Sequence, residues 1–196
     1  MPELWGVEHG VMWALDLPAG PPPDARPDVR IAEVGAGDDR ALAAAKDVAE
    51  AEVADRRRRG CRVIAAWSGG ELASYCWLST RRQHVGELAR VLVLAEGETY
   101  VWDCATLPRF RGRGLYTHLL RTIVATLAAE GQRRLWIGTA ETNEASLRAF
   151  ASAGFRPAIT MTALRLAGHG FVVRFRGADG AGRDLVAAAR RLLLGS

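Results

Sequence analysis

The chain has 196 residues, 49% of them hydrophobic, enough for one domain with a sizeable buried core. No run approaches the roughly 20 apolar residues of a membrane span, and the N-terminus lacks the basic-then-apolar order of a secretory signal. A cytoplasmic protein with no membrane partner is therefore expected, with net charge +4 and Lys46 as its sole lysine. Cys61, Cys76 and Cys104 are odd in number and show no CxxC spacing, and the four histidines are scattered. Free thiols and no metal site are the expectation.

Residues 1–27 read as an N-terminal arm. Trp5, Val7, Val11, Trp13 and Leu15 alternate in strand fashion, and Pro18 to Pro27 form a proline-rich linker. Either the arm adds an edge strand or it covers a cleft. Val29 to Val34 then reads as a strand, and Asp39 to Arg58 as one helix built on Leu42, Ala45, Val48, Ala49 and Val53. The run Arg56–Arg59 sits where that helix ends, and cations there complement the helix dipole. Contact with nucleic acid or an acidic substrate is the other reading of the run, and nucleic acid is not an expected partner.

Arg62 to Trp67, Leu72 to Leu78 and Arg90 to Cys104 read as consecutive strands, joined by Gly69-Gly70 and a polar loop at 79–88. Tyr100 to Thr106 is rich in aromatic and β-branched residues, and Pro108 stops the ladder because it has no N–H to donate. Next comes Arg109-Phe110-Arg111-Gly112-Arg113-Gly114, followed by Tyr116, Leu119, Leu120, Ile123, Val124 and Leu127 at helical spacing up to Gly131. Arg134 to Ala140 reads as a short buried strand. A helix from about Asn143 to Ala153 follows, with Gly154 in a left-handed C′ position. Strands at about 157–166 and 170–176 precede an amphipathic C-terminal helix within 177–196. Antiparallel strands first and a βαβα unit later predict a mixed α/β (α+β) sheet.

The segment from Arg109 to Gly114 is the most informative. Glycines let the backbone turn tightly and approach a ligand. A helix N-terminus aims its N–H groups at an anion, and three arginines add positive charge. Strand, turn and helix together make an anion cradle suited to a pyrophosphate. A P-loop is excluded, because Lys46 has no suitable glycine pair beside it, and Gly35-Ala36-Gly37 fails as a dinucleotide fingerprint because Arg40 occupies the third glycine position.

Arg109-x-x-Gly112-x-Gly114 resembles the Q/R-x-x-G-x-G/A signature of the GNAT superfamily of acyl-CoA-dependent N-acetyltransferases. A second block, Thr142-Asn143-Glu144-Ala145-Ser146 through Ala153-Gly154-Phe155, falls in that family's order and spacing. The likeness covers residues 28–176, taken as the catalytic domain, and leaves the arm and the last helix outside it. It implies a mixed, mostly antiparallel central sheet of about seven strands with helices on both faces. Two parallel central strands, 98–106 and 134–140, would splay apart to admit the pantetheine of acetyl-CoA.

By the same resemblance, Cys104 and Thr106 would offer main-chain groups to the pantetheine and thioester. The N–H groups of Arg111, Gly112, Arg113, Gly114 and Leu115 would hold the pyrophosphate beside Arg109. Asn143 would bond the pantetheine amide region. The implied reaction is direct attack of a primary amine, of a small molecule or a peptide, on the thioester in a ternary complex. Asp103 is the first candidate base, with Glu98 and Glu141 in reserve.

One departure stands out. Phe150 occupies the place where many members carry a tyrosine that protonates the leaving thiolate; it packs against the cofactor but has no proton to give. Ser146 and Tyr116 are the candidate donors, or the thiolate leaves unaided, since a thiol pKa is only about 8.5. The alternative is a non-catalytic acyl-CoA-binding or regulatory module. Homodimerisation through the arm or the last helix is left open.

Overall fold

The run Val11-Met12-Trp13-Ala14-Leu15 is apolar at every position, which suits a strand covered on both faces rather than an edge. The computed structural model, which describes residues 5–18, 20, 22–88, 90–166 and 169–195, places it so. Strand β1 (Trp5–Asp16) lies inside an eight-stranded sheet. The arm thus contributes an interior strand, antiparallel to both of its neighbours.

The other strands of this sheet are β2 (Val29–Glu33), β3 (Arg62–Ser68), β4 (Glu71–Ser79), β7 (Glu98–Thr106), β8 (Arg134–Ala140), β9 (Arg156–Leu166) and β10 (His169–Gly177). The order across the sheet is β10-β9-β1-β8-β7-β4-β3-β2, and among the described residues only β7 and β8 pair in parallel. The sheet is mixed and mostly antiparallel, as expected, with eight strands where about seven were expected. A separate ribbon joins β5 (Arg82–Val85) to β6 (Arg90–Val93).

Two elements are shorter than the apolar pattern predicts. The single helix expected over 39–58 is two, α1 (Asp39–Lys46) and α2 (Glu50–Arg58). Asp47 takes the left-handed conformation (φ 56°), and the N–H groups of Asp47 and Val48 close back on the carbonyls of Ala44 and Ala43. That is a helix stop of the kind glycine usually provides, and aspartate tolerates it better than most side chains. The strand expected over 90–104 is likewise divided, at Gly97 (φ 75°), so that β6 leaves the sheet and β7 joins it.

Helices α3 (Leu115–Ala129) and α4 (Glu144–Ser152) cover one face, where Leu119, Leu120, Ile123 and Leu127 pack on Val101, Leu135 and Ile137. On the other face, α1 and α2 bury Leu42 and Val53 against Val63, Tyr75 and Trp77. Helix α5 (Arg183–Leu194) and the β5–β6 ribbon close the remainder of that face, with Leu92, Ala189, Leu192 and Leu193 around Met12, Tyr100 and Trp136. Both terminal segments therefore lie within the core that the middle of the chain builds.

Phe150 is 1% exposed. Its ring meets Trp13 of β1 edge-on, with centroids 5.9 Å apart, and Phe155 at 6.3 Å. Replacing it should empty a well-packed site. Phe150→Ala is expected to lower unfolding stability by about 3–5 kcal/mol, read as a shift in the urea midpoint at constant slope.

Candidate active site

Strands β7 and β8 are hydrogen-bonded over Glu98 to Val101 and Arg134 to Ile137, and no further. Beyond that point each follows its other neighbour. Trp102, Ala105 and Thr106 of β7 pair with Trp77, Tyr75 and Ser74 of β4, while Gly138, Thr139 and Ala140 of β8 pair with Met12, Val11 and Gly10 of β1. A gap opens between two strand edges that are each anchored from behind.

At the gap, β7 bulges. The register against β4 slips between Tyr75 and Trp77, which leaves Asp103 and Cys104 opposite Cys76 alone, and Asp103 has φ 44°. An extra residue of this kind reverses the alternation of side chains beyond it. Cys104 accordingly packs on the α3 side with Cys76 and Tyr116, and Ala105 falls on the side of Tyr75 and Trp77. Burial, followed by the neighbouring thiols of Cys104 and Cys76, pushes the Tyr116 hydroxyl well above its ordinary pKa. Burial and a hydrogen bond with Cys104 do the same to the Cys76 thiol.

The turn before α3 lies at the end of β7. Gly112 and Gly114 have φ of 75° and 70°, and an added Cβ at either would meet no atom within 4 Å. The glycines therefore serve backbone conformation and an open approach, and no close packing demands them. Gly114 is the N-cap of α3, and its carbonyl accepts from His118 at 3.1 Å. The N–H groups of Leu115, Tyr116 and Thr117 are those that a helix leaves without an intrahelical acceptor.

The arginines of the turn divide their work. Arg111 Nε donates to the Thr106 carbonyl at 3.2 Å, and Arg26, from the proline-rich linker, donates to the Arg113 carbonyl at 3.0 Å. Arg109 pairs with Glu71 and, like Arg113, stacks on the Phe110 ring.

The second block has a structural task as well. Asn143 caps α4, its Oδ1 accepting from the Ser146 N–H at 3.2 Å. Ser146 is half-buried in that first turn, and Glu141 is exposed just past β8, its N–H donating to the His9 carbonyl at 2.9 Å. Glu98 is buried at the far end of β7, where Arg191 donates to both of its oxygens at 2.7 and 2.8 Å. Phe150 belongs to the core between α4 and β1, with almost no surface to present to the gap.

On the face opposite α3, the gap opens into a cleft of about 940 Å³. Tyr100, Trp102 and Asp103 of β7 line it, together with Gly10 of β1 and Gly138 of β8. Asp103 Oδ2 accepts from both Lys46 and Arg56. The Arg56 guanidinium lies over the rings of Trp77 and Trp102, 5.1 and 4.8 Å from their centres, and donates to Glu52 at 2.7 Å. Burial works against its charge, but Asp103 and Glu52 together raise its pKa.

Sequence reading put Asp103, Cys104 and Thr106 together and missed Lys46, Arg56 and the strand glycines Gly10 and Gly138. Glycine inside a strand is a signal of close approach and was there to be read. Lys46 and Arg56 gave no local signal. The remaining arginines of the basic run have partners within the molecule, Arg57 with Asp39 at 2.7 Å, and Arg58 and Arg59 sharing Asp55 at 3.2 and 3.1 Å. Among the described residues, no three His, Cys, Asp or Glu side chains gather as for a metal ion, and no helix is long and apolar enough to cross a membrane.

Known proteins place this geometry. Residues 32–155 match the profile of the Acetyltransferase (GNAT) family. No curated protein matches the chain in sequence. Among solved structures, a GNAT-family protein from Novosphingobium aromaticivorans is 24% identical, with TM-score 0.60 over 84% of this chain and 69% of its own. The GCN5-related N-acetyltransferase from Sphaerobacter thermophilus is 17% identical, with TM-score 0.61 over 88% of this chain and 54% of its own. The chain thus spans about half of that relative's length. The ribosomal-protein-S18-alanine N-acetyltransferase from Escherichia coli is 15% identical, with TM-score 0.53 over 77% of this chain and 97% of its own. These likenesses agree with the fold, the profile covers well over half of the sequence, and the chain belongs to the GNAT family of acetyltransferases.

Proposed function

We propose that this chain transfers an acetyl or other short acyl group from acyl-CoA to a primary amine of a small molecule or peptide, by direct attack in a ternary complex. The parting of β7 and β8 after Val101 and Ile137, with the Gly112–Gly114 turn at the end of β7, is the observation that carries this reading. The open space above both glycines, the N-terminus of α3 and the exposed Arg111 and Arg113 fit a pyrophosphate. Acyl-CoA brings an activated thioester whose leaving group is a thiolate.

Along the open edge of β7, main-chain groups of Trp102 to Thr106 would hold the pantetheine and meet the oxyanion that develops on attack. Asn143 would steady the start of α4 beside it. The amine would enter from the cleft on the opposite face. An amine has a pKa near 10 in water and must lose a proton before it attacks. Asp103 Oδ2 already accepts from two cations, so the reading sends this proton out through water in the cleft instead of directly to that carboxylate. Tyr116, beside Cys104 and held protonated by burial, is assigned to meet the thiolate in place of the hydroxyl that Phe150 lacks. Ser146 is the reserve.

A second reading is an acyl-CoA-binding module without catalysis. Phe150, which has no hydroxyl and is buried in the core, is what favours it.

Titration calorimetry tests the binding that both readings share. Acetyl-CoA should bind the wild type at micromolar concentration and should fail to bind a Gly112→Glu, Gly114→Glu variant, whose carboxylates would occupy the cradle. Absence of binding to the wild type would remove both readings. Acceptor-stimulated thiol release across a panel of amines then decides between catalysis and mere binding. If Tyr116 serves the thiolate, Tyr116→Phe should lower kcat by about tenfold or more with little change in acetyl-CoA affinity.

A further inference from the structure

We propose that Lys46 and Arg56 are positioning residues, which act together through Asp103 to hold the left-handed bulge of β7 at the mouth of the gap. This inference rests on the acyl-transfer reading. Asp103 is one of two non-glycine residues with positive φ among those described, the other being the helix stop at Asp47. Aspartate tolerates that conformation better than most side chains but still at a cost, which its surroundings offset. The bulge falls two residues beyond the last parallel pair, Val101 with Ile137. It decides which β7 groups face the gap and places Cys104 on the α3 side.

Two cations converge on one carboxylate oxygen there, and they come from different helices. Lys46 is the last residue of α1 and Arg56 lies near the end of α2, so the stop at Asp47 is what lets both reach Asp103. Both side chains are nearly withdrawn from water, with 9% and 11% of their surface exposed. Arg56 is fixed between Trp77, Trp102 and Glu52. Lys46 passes over the Tyr75 ring, 5.6 Å from its centre, one residue from the register slip. In a chain rich in arginine, the second cation on this carboxylate is the sole lysine, a compact ammonium. A carboxylate held in this way is an anchor. The pair Lys46 and Asp103 therefore matters for the backbone between Trp102 and Thr106, and less as an acid–base couple.

A rescue experiment tests this. Lys46→Met should lower kcat for thiol release by about tenfold or more while acetyl-CoA affinity changes by less than threefold. Adding Asp103→Gly to that variant should restore most of the loss, because glycine adopts positive φ without an anchor. Deleting a general base could not restore activity, so a double variant no faster than Lys46→Met overturns the proposal. So does a Lys46→Met enzyme as fast as the wild type. Lys46→Gln replaces Lys46→Met if the latter does not fold.

Hydrogen exchange supplies a readout that needs no substrate. Amides of residues 103–106 should exchange at least about tenfold faster in Lys46→Met than in the wild type, and unchanged exchange there overturns the anchor. Acceptor-stimulated thiol release by the wild type tests the acyl-transfer reading separately, and exchange needs no turnover, so failure of that reading is distinguishable from failure of the anchor.

Discussion

Four residue pairs of parallel hydrogen bonding, Glu98 to Val101 with Arg134 to Ile137, set the position of everything else in the site. A parallel pair that stops while both strands continue exposes two rows of main-chain donors and acceptors, which is costly unless something holds the strands apart and something else meets the polar groups. The first need is met from behind. β4 stays paired with β7, across the bulge, as far as Thr106, and β1 stays paired with β8 as far as Ala140. The hydroxyl of Ser74 adds a bond to the Ala105 carbonyl at 2.9 Å, which braces the end of β7 from the β4 side. The second need is what makes the gap a place for an extended ligand with amide groups of its own.

The cradle and the gap are one continuous path because β7 runs into the turn that starts α3. Its two glycines and the helix N-terminus were legible in the sequence, since each depends on residues within about ten positions of one another. So were the apolar stripe of α3 and the two strands of the gap. Long-range features were not. Nothing near Lys46 or Arg56 in the sequence says that they meet Asp103, 57 and 47 residues away.

Local exceptions were also hidden. Asp47 and Asp103 take conformations that most side chains avoid, and aspartate at such a point looks like any polar residue in a helix or strand. Alternation read through Asp103 puts Cys104 and Ala105 on the wrong faces, because a bulge is invisible to a period of two. Phe150 shows the opposite case. Its place in the second block suggested a cofactor contact, while the helical spacing of Leu147, Phe150 and Ala153 allowed core packing equally well. Its ring lies against Trp13, a partner that only the interior position of β1 supplies.

That interior position has a consequence for how the chain acquires its shape. β1 is made first but pairs with β8 and β9, so Trp13 must find Ile137 and Pro157, 124 and 144 residues later in the sequence. Contacts of such sequence separation slow folding, because the loop between the partners must close before they reward it. At synthesis rates of about 5–20 residues per second, β1 waits for roughly 6–25 s before β8 exists. During that time an apolar strand with two unpaired edges stands in the nascent chain, a template for other strands. The proline-rich stretch behind it cannot extend its ladder, and β2, β3 and β4 pair with one another. β1 thus cannot take its place until β8 and β9 exist, although it precedes both in the sequence, and until then the gap has no rear wall on the β8 side.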